Sequence, residues 1–400
     1  EPLIDRLQSL LSDRPVALVG GCVRDWLLGR QPIDWDLVVE GDPAPVADAI
    51  AQALKAPRVL LDAEFGVWRV AVRDGVSLDV VRQQGPTLEA DLTRRDLTIN
   101  AIAWRLSDGR LADPAGGLAD LDRRILRAVS ALNIESDPLR VLRIFRFESS
   151  LGWPIEPVTR SWAERYAPQL AGMAAERILV ELDKLIRGAQ APQALEDAIA
   201  VGAVRALWPE LDATRAAAAF ARLHAWRASA DARTRDALEQ GLAGDRPAFT
   251  ALALGIWLHS LGTGAEEAIE RLKLSSREAA WVRAVATEPL DELAGAGTRA
   301  LYRVDTRLGE RMPAVAIAAW AYGAATPEWR DEALMRHWHW EALRQNRLLT
   351  GNALMHALDL SPGPRVGELL AAIEEARALG ELGTPDEALA RAASMLARGE

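Results

Sequence analysis

The stretch VGGCVRDWLLGRQPIDWDLVVEGD, residues 19–42, sets a glycine pair, an Arg-Asp pair and two aspartates one residue apart within a short span. Where the apolar run Val16 to Val19 gives way to a helical-looking segment, Gly20 and Gly21 let the backbone approach a ligand closely, and the helix start beyond them favours an anion. That reads as a phosphate seat, although neither the three-glycine dinucleotide fingerprint nor a Walker loop is present. IDWDLVV alternates polar and apolar residues with period two, the pattern of a strand. Asp34 and Asp36 then share one face, about 6.6 to 7 Å apart, while Ile33, Trp35 and Leu37 point into the core. Two carboxylates so placed can hold a pair of Mg²⁺ ions about 3.5 to 4 Å apart, which activate an attacking hydroxyl and steady a pyrophosphate leaving group. Asp79, on a separate strand-like run, is the candidate third carboxylate; a solvated strand aspartate is the plain alternative.

The elements that carry these groups divide the chain in two. β-Branched alternation is concentrated before about residue 115, whereas Ala, Leu, Arg and Glu at three- and four-residue spacings dominate after it, so a small α/β head precedes a long all-helical body. Four hundred residues exceed one core and suggest two to four domains. In the head, residues 43–54 read as a helix, and RVLL, VWRVAVR and VSLDVVR as three short strands, the last two joined at Asp74-Gly75. DPAGG breaks the pattern at the border with the helices, which are separated by GWPIEP, GDRP, ATPEW and LSPGPR. In SDPLRVLRIFRF, Asp137 is expected as N-cap and Pro138 as first helical residue, with Leu139, Leu142 and Phe145 as the apolar stripe. Arg140, Arg143 and Arg146 crowd that helix and repel one another unless an anion or acidic partner lies close, which a triphosphate would satisfy.

The single cysteine, Cys22, cannot form an internal disulfide, and no apolar run reaches the roughly 18 residues of a membrane span, so a cytoplasmic, membrane-free protein is expected. The start EPLIDRLQSLL is acidic and amphipathic, unlike a signal peptide; it lacks an initial methionine, which leaves a removed leader open. A net charge of −10 does not by itself mark a nucleic-acid binder, but arginines cluster at 94–95, at 123, 124 and 127, and at 140, 143 and 146. The fourteen tryptophans fall mostly within helical patterns and are read as core.

Four ordered blocks together resemble the class II tRNA nucleotidyltransferase and poly(A) polymerase family. GGCVRDWLLG…DWD is similar to its catalytic motif, DLTRRDLTINA to its ribose and triphosphate motif, DPAGGLADLDRRILR to its hinge, and DPLRVLRIFRF to its base-selecting helix. The likeness covers residues 15–153 and resumes in the tail at LLTGNALMHALDLSPGPRVGELLAAIEEARALGELGTPDEAL. It implies a head of the polymerase β-like nucleotidyltransferase fold at 1–115, a helical neck carrying the base-selecting helix at 116–185, a helical body at 186–285 and a tRNA-binding tail at 286–400. It further implies that Asp34 and Asp36 hold Mg²⁺, that Gly20, Gly21 and Arg24 seat the nucleotide, and that Arg95, Asp96 and Asn100 hold its sugar and phosphates. Asp137 and Arg140 would select the base, with Arg143 and Arg146 helping on the phosphates. Cytosine and adenine each present an amino donor beside a ring-nitrogen acceptor, which a carboxylate and a guanidinium match, so CTP, and in some members ATP, can be chosen without a template strand.

Three departures sharpen the expectation. Ser136 stands where the family usually has a glutamate before the base-selecting aspartate, so a less firmly oriented helix start and relaxed fidelity are expected. Only residues 83–90 separate the catalytic strands from Asp91, without the flexible loop of members that add the terminal A, as in the CC-adding branch. Ser260 in GIWLHSLG replaces the aspartate of a His-Asp phosphohydrolase pair, so no second hydrolytic site is expected. The implied activity is template-independent transfer of CMP to the 3′ end of tRNA, held at its acceptor end and elbow, stopping at CC. Full CCA addition, a poly(A) polymerase on general RNA, a small-molecule nucleotidyltransferase and a catalytically idle RNA-binding scaffold are the alternatives.

Overall fold

The structure is a computed structural model that describes residues 2–64, 66–243 and 246–398. The chain divides into two compact units, Glu1–Pro209 and Glu210–Glu400. The first opens with helix α1 (Pro2–Leu11), strand β1 (Val16–Val19), α2 (Gly21–Leu27), β2 (Asp34–Val39), α3 (Ala44–Leu54), β3 (Arg58–Asp62), β4 (Val67–Ala71) and β5 (Ser77–Arg82). It continues through α4 (Leu88–Leu92), β6 (Ala103–Arg105), β7 (Leu111–Ala112), α5 (Gly117–Arg123), α6 (Ala131–Ser136), α7 (Arg140–Leu151), α8 (Pro157–Tyr166), α9 (Ala175–Arg187), α10 (Ala191–Ala200) and α11 (Ala203–Leu207).

The seven strands form one sheet in the order β3-β4-β5-β2-β1-β6-β7, with β2 and β5 parallel and the other neighbours antiparallel. β2 therefore lies in the middle, flanked by β1 and β5, where its backbone is fixed on both sides. Trp35, Leu37 and Val39 enter the core with Ile4, Leu7, Leu18, Ile50 and Leu78, while Val38 packs on the other face with Ala17, Val19 and Leu92. Ile33, expected in that core, precedes the strand and is 62% exposed. Burial pushes the Cys22 thiol up to about 12, so it behaves as a small apolar core residue.

The DPAGG break becomes a packed joint. Asp113 accepts from the amides of Gly117 and Leu118 at 2.6 and 2.9 Å, satisfying orphan donors at the start of α5. Gly117 must be glycine: an added Cβ would lie 2.1 Å from the Thr98 carbonyl oxygen. Buried Asp120 accepts from Thr98 Oγ1 at 2.7 Å and Arg127 Nε at 3.0 Å, which fastens α5 to the segment that carries Asn100.

Asp137 is not the cap expected of it. It closes α6, its side chain caps nothing, and Leu139 occupies the N-cap position of α7. The apolar stripe is buried as expected at Leu139, Leu142 and Phe145. In the second unit, Ala248–His259 and Met312–Ala321 are apolar on every side and nearly wholly buried, which makes them its central helices. The break at GDRP begins with Gly244 and Asp245, outside the described residues, and Arg246–Pro247 pairs with Gly241–Ala243. No described helix is long and apolar enough to cross a membrane.

Glu148 of α7 is buried facing Asp197 of α10. Burial first, then the charge and hydrogen bond of Asp197, push it up to about 8, against the pull of Arg160. A carboxyl whose folded pKa is raised binds its proton more tightly in the native state, so stability falls as pH rises from its ordinary value of 4.5 towards 8. Glu148→Gln removes that loss: thermal melts across the window should show a flatter profile than wild type and a higher Tm at pH 8.

Candidate active site

A cavity of about 830 Å³ in the first unit gathers residues from four stretches of sequence. The turn at Gly20, helix α2 and the start of β2 contribute Gly20, Gly21, Arg24, Asp34 and Asp36, and the segment after α4 contributes Arg95, Asp96 and Asn100. Asp137 comes from the end of α6, Arg140, Arg143, Arg146 and Phe147 from α7, and Arg177, Val180, Glu181 and Lys184 from α9. All the expected site residues line it except Asp79.

Gly20 has φ 77°, and an added Cβ would sit 2.8 Å from Arg95 Nη1 and 3.7 Å from Asp36 Oδ2. The bare glycine thus faces the carboxylate and the guanidinium together, and a side chain there would separate them. Asp34 accepts from Ser77 Oγ at 2.7 Å, across the parallel β2–β5 register. Among the described residues Asp36 has no such donor. Burial first, and then the charges of Asp79 and Asp34, raise its pKa, while Arg95 and Arg69 oppose the rise. Asp79 stands opposite Asp36 in that register, yet Arg69 of β4 grips both its oxygens at 2.7 Å. The expected third carboxylate is therefore satisfied by an arginine directly across the neighbouring strand.

A relay crosses the cavity floor. Arg24 Nη1 donates to Asn100 Oδ1 at 2.7 Å, Asn100 Nδ2 to Asp96 Oδ1 at 3.0 Å, and Arg143 Nε to Asp96 Oδ2 at 2.8 Å. Burial alone would raise the Asp96 carboxyl, but Arg143, Asn100 and the Leu97 amide outweigh it and hold the group at about 2. Arg95 is fixed by Asp91 at 3.1 Å, and its carbonyl accepts from Arg140 Nη1 at 3.1 Å.

Sequence reasoning missed the α9 wall. Arg177 Nη2 donates to both oxygens of Asp137 at 3.0 and 3.1 Å, while Arg140 lies 4.0 Å away. The Asp137 carboxylate is thus held from α9, and Ser136 Oγ donates to the Asn133 carbonyl at 3.1 Å. Glu181 pairs with Arg143 at 3.4 Å and Arg146 at 3.1 Å, and Phe147 lies under the guanidiniums of Arg146 and Arg24, 4.1 and 5.2 Å from its ring centre. The available signal was the charged set 177, 181 and 184, at the spacing of one helix face. In the second unit, Ser260 Oγ donates to the Trp257 carbonyl and His259 Nδ1 lies 3.0 Å from the Ala286 carbonyl.

Comparison with known proteins assigns this arrangement. Residues 16–127 match the poly A polymerase head domain, residues 152–214 the RNA and SrmB-binding site of polymerase A, and residues 251–393 the tRNA nucleotidyltransferase domain 2. An A-adding tRNA nucleotidyltransferase from Deinococcus radiodurans is 35% identical, with 94% of each chain covered. The chain belongs to the tRNA nucleotidyltransferase family. A CC-adding tRNA nucleotidyltransferase from Synechocystis sp. is 33% identical over 94% of this chain and 92% of its own. Among solved structures, the Thermotoga maritima CCA-adding enzyme complexed with tRNA shares the fold at a TM-score of 0.74 and 23% identity, covering 99% of this chain and 95% of its own. A complex of CCA-adding enzyme with CTP matches with a TM-score of 0.79 at 22% identity, with the same coverage. Membership makes the chain an enzyme of nucleotidyl transfer and explains why the head's sheet and the two helices meet around one cavity.

The geometry separates the three aspartates. Asp79→Asn should leave nucleotide incorporation near wild type and cost at most about 1 kcal/mol, since its arginine pair is partly exposed. Asp36→Ala should abolish incorporation while preserving the melt. Incorporation rates read beside thermal melts check both; a dead Asp79→Asn that still folds would return it to the cluster.

Proposed function

We propose that this protein transfers CMP from CTP to the 3′ end of tRNA, builds the CC of the CCA terminus and stops before the terminal A. The observation that carries the stop is the connection between β5 and α4, residues 83–87. It is short and tied down: the Gln84 amide donates to Asp91 Oδ1 at 2.8 Å, and Gln83 Nε2 donates to the Gly85 carbonyl at 3.1 Å. Pro86 adds a fixed φ. Asp91 is also the residue that fixes Arg95, so movement of this connection would disturb the nucleotide seat. Accepting ATP after CTP demands a rearranged base pocket, and this connection offers no slack for one.

In this reading the 3′-hydroxyl of the RNA gives up its proton to solvent, its oxygen attacks the α-phosphorus of CTP, the bond from that phosphorus to the oxygen bridging the β-phosphate breaks, and pyrophosphate leaves. Asp137 and Arg140 read the cytosine edge, with Arg177 setting the carboxylate. Arg24, Arg95, Arg143 and Arg146 line the path of the phosphates. Asp34 and Asp36 suit Mg²⁺: they are hard oxygen donors on one strand face, and Asp36, a buried carboxylate with the charges of Asp79 and Asp34 near it, is a group that a divalent cation would stabilise in its ionised form. Such ions, when bound, polarise the α-phosphate and lower the pKa of the attacking hydroxyl. With Asp79 engaged by Arg69, Asp34 and Asp36 are the carboxylates that would hold such ions. The second unit, with its helical tail, supplies the surface for the body of the tRNA.

The test is a tRNA lacking its last three nucleotides, incubated with CTP and ATP together and resolved at single-nucleotide length. Arrest after the second C is expected. Efficient formation of the full CCA end, or addition of A alone to a tRNA ending in CC, overturns the stop; A-tailing of unrelated RNA overturns the choice of tRNA.

A further inference from the structure

α9 presents Arg177, Val180, Glu181 and Lys184 to the cavity, spaced i, i+3, i+4 and i+7 along one face. Its ion pairs with the α7 segment order the two helices: Asp137 meets Arg177, and Arg143 and Arg146 both meet Glu181 further on. The cavity therefore has a base-reading end at Asp137 and Arg177. Its opposite end lies by Arg146 and Lys184, about 10 Å along α9 from Arg177 by the rise of the helix. A nucleoside triphosphate laid with its base at Asp137 points its last phosphate towards that second end.

The cations differ in how free they are to receive it. Arg24 is held by Asp25, Arg95 by Asp91, Arg143 by Asp96, Arg146 by Glu181 and Arg177 by Asp137. Lys184 is open to the cavity and has no carboxylate or hydrogen-bond partner among the described residues. Its ammonium is held below the ordinary lysine value by partial burial and by Arg146, with Glu181 opposing, a position that an arriving phosphate would relieve. A compact, three-donor point charge suits a terminal phosphate, whose oxygens are not constrained to one plane.

We propose that Lys184 grips the terminal phosphate of the incoming nucleoside triphosphate and so distinguishes a triphosphate from a diphosphate. This rests on the nucleotidyl-transfer reading above. An RNA backbone phosphate offers the same chemistry from another source, and the experiment separates the two. CTP and CDP are titrated calorimetrically into wild type, Lys184→Ala and Lys184→Arg without RNA, and KM is measured separately for CTP and for tRNA. Lys184→Ala should weaken CTP about tenfold, the scale of one charge-assisted contact, while CDP changes little. The catalytic loss should fall on KM for CTP and leave KM for tRNA in place, and Lys184→Arg should recover most of it. Equal weakening of CTP and CDP, a rise confined to KM for tRNA, or no change in either overturns the proposal. Wild-type CMP incorporation into tRNA is run alongside: its failure would refute the function, whereas the CTP–CDP difference judges Lys184 by binding alone. Because Lys184 is exposed, both variants should melt as wild type does; should the alanine variant melt early, Lys184→Gln, which keeps most of the stem and removes the charge, decides through its CTP–CDP difference.

Discussion

The buried carboxylate of Asp96 is the interaction on which the site depends. It takes Arg143 from α7, Asn100 from its own segment and the Leu97 amide, and through Asn100 it reaches Arg24 beside the glycine turn. An ionised group so deeply placed is tolerable only when its lone pairs are filled, and removal of one partner would leave an uncompensated charge inside the protein. The sheet and the helices are therefore coupled by a demand that neither can meet alone. The joint made by Gly117, Thr98 and Asp120 sits under the same segment, so the backbone that carries Asn100 is fixed from below as Asp96 fixes it from the side.

Much of this was legible from local pattern. The paired aspartates and the glycine turn announce themselves because strand alternation and turn chemistry are properties of a few adjacent residues. Asp79 could be placed on a strand for the same reason, but its meaning turned on Arg69, ten residues away across a hairpin whose register decides which side chains face each other. Asp137 is the cap expectation that the fold overturns. An Asp-Pro before a helix is a strong cap signal, yet here both oxygens of the carboxylate accept from Arg177, a residue forty positions away that no local pattern could supply. α9 was invisible as a functional element because its charged face lies among ordinary helix formers and acquires meaning only against α7.

The acidic chain and its polyanionic substrates are reconciled within the cavity. A net charge of −10 would repel RNA and nucleotide if it were spread evenly, but the cavity wall carries seven basic and six acidic side chains. Most of these bases are already paired, which keeps like charges from destabilising the free enzyme and holds each guanidinium near the place where a phosphate will need it. Binding a triphosphate is then an exchange of partners, and its net gain is smaller than a row of bare arginines would suggest. Such an exchange favours ligands that satisfy every surrendered carboxylate and guanidinium together. In the proposed reading, a nucleotide with the wrong base edge would leave Asp137 or Arg140 unmatched at one end, however well its phosphates fit the other, and discrimination would arise from that unmet group rather than from the strength of the phosphate grip.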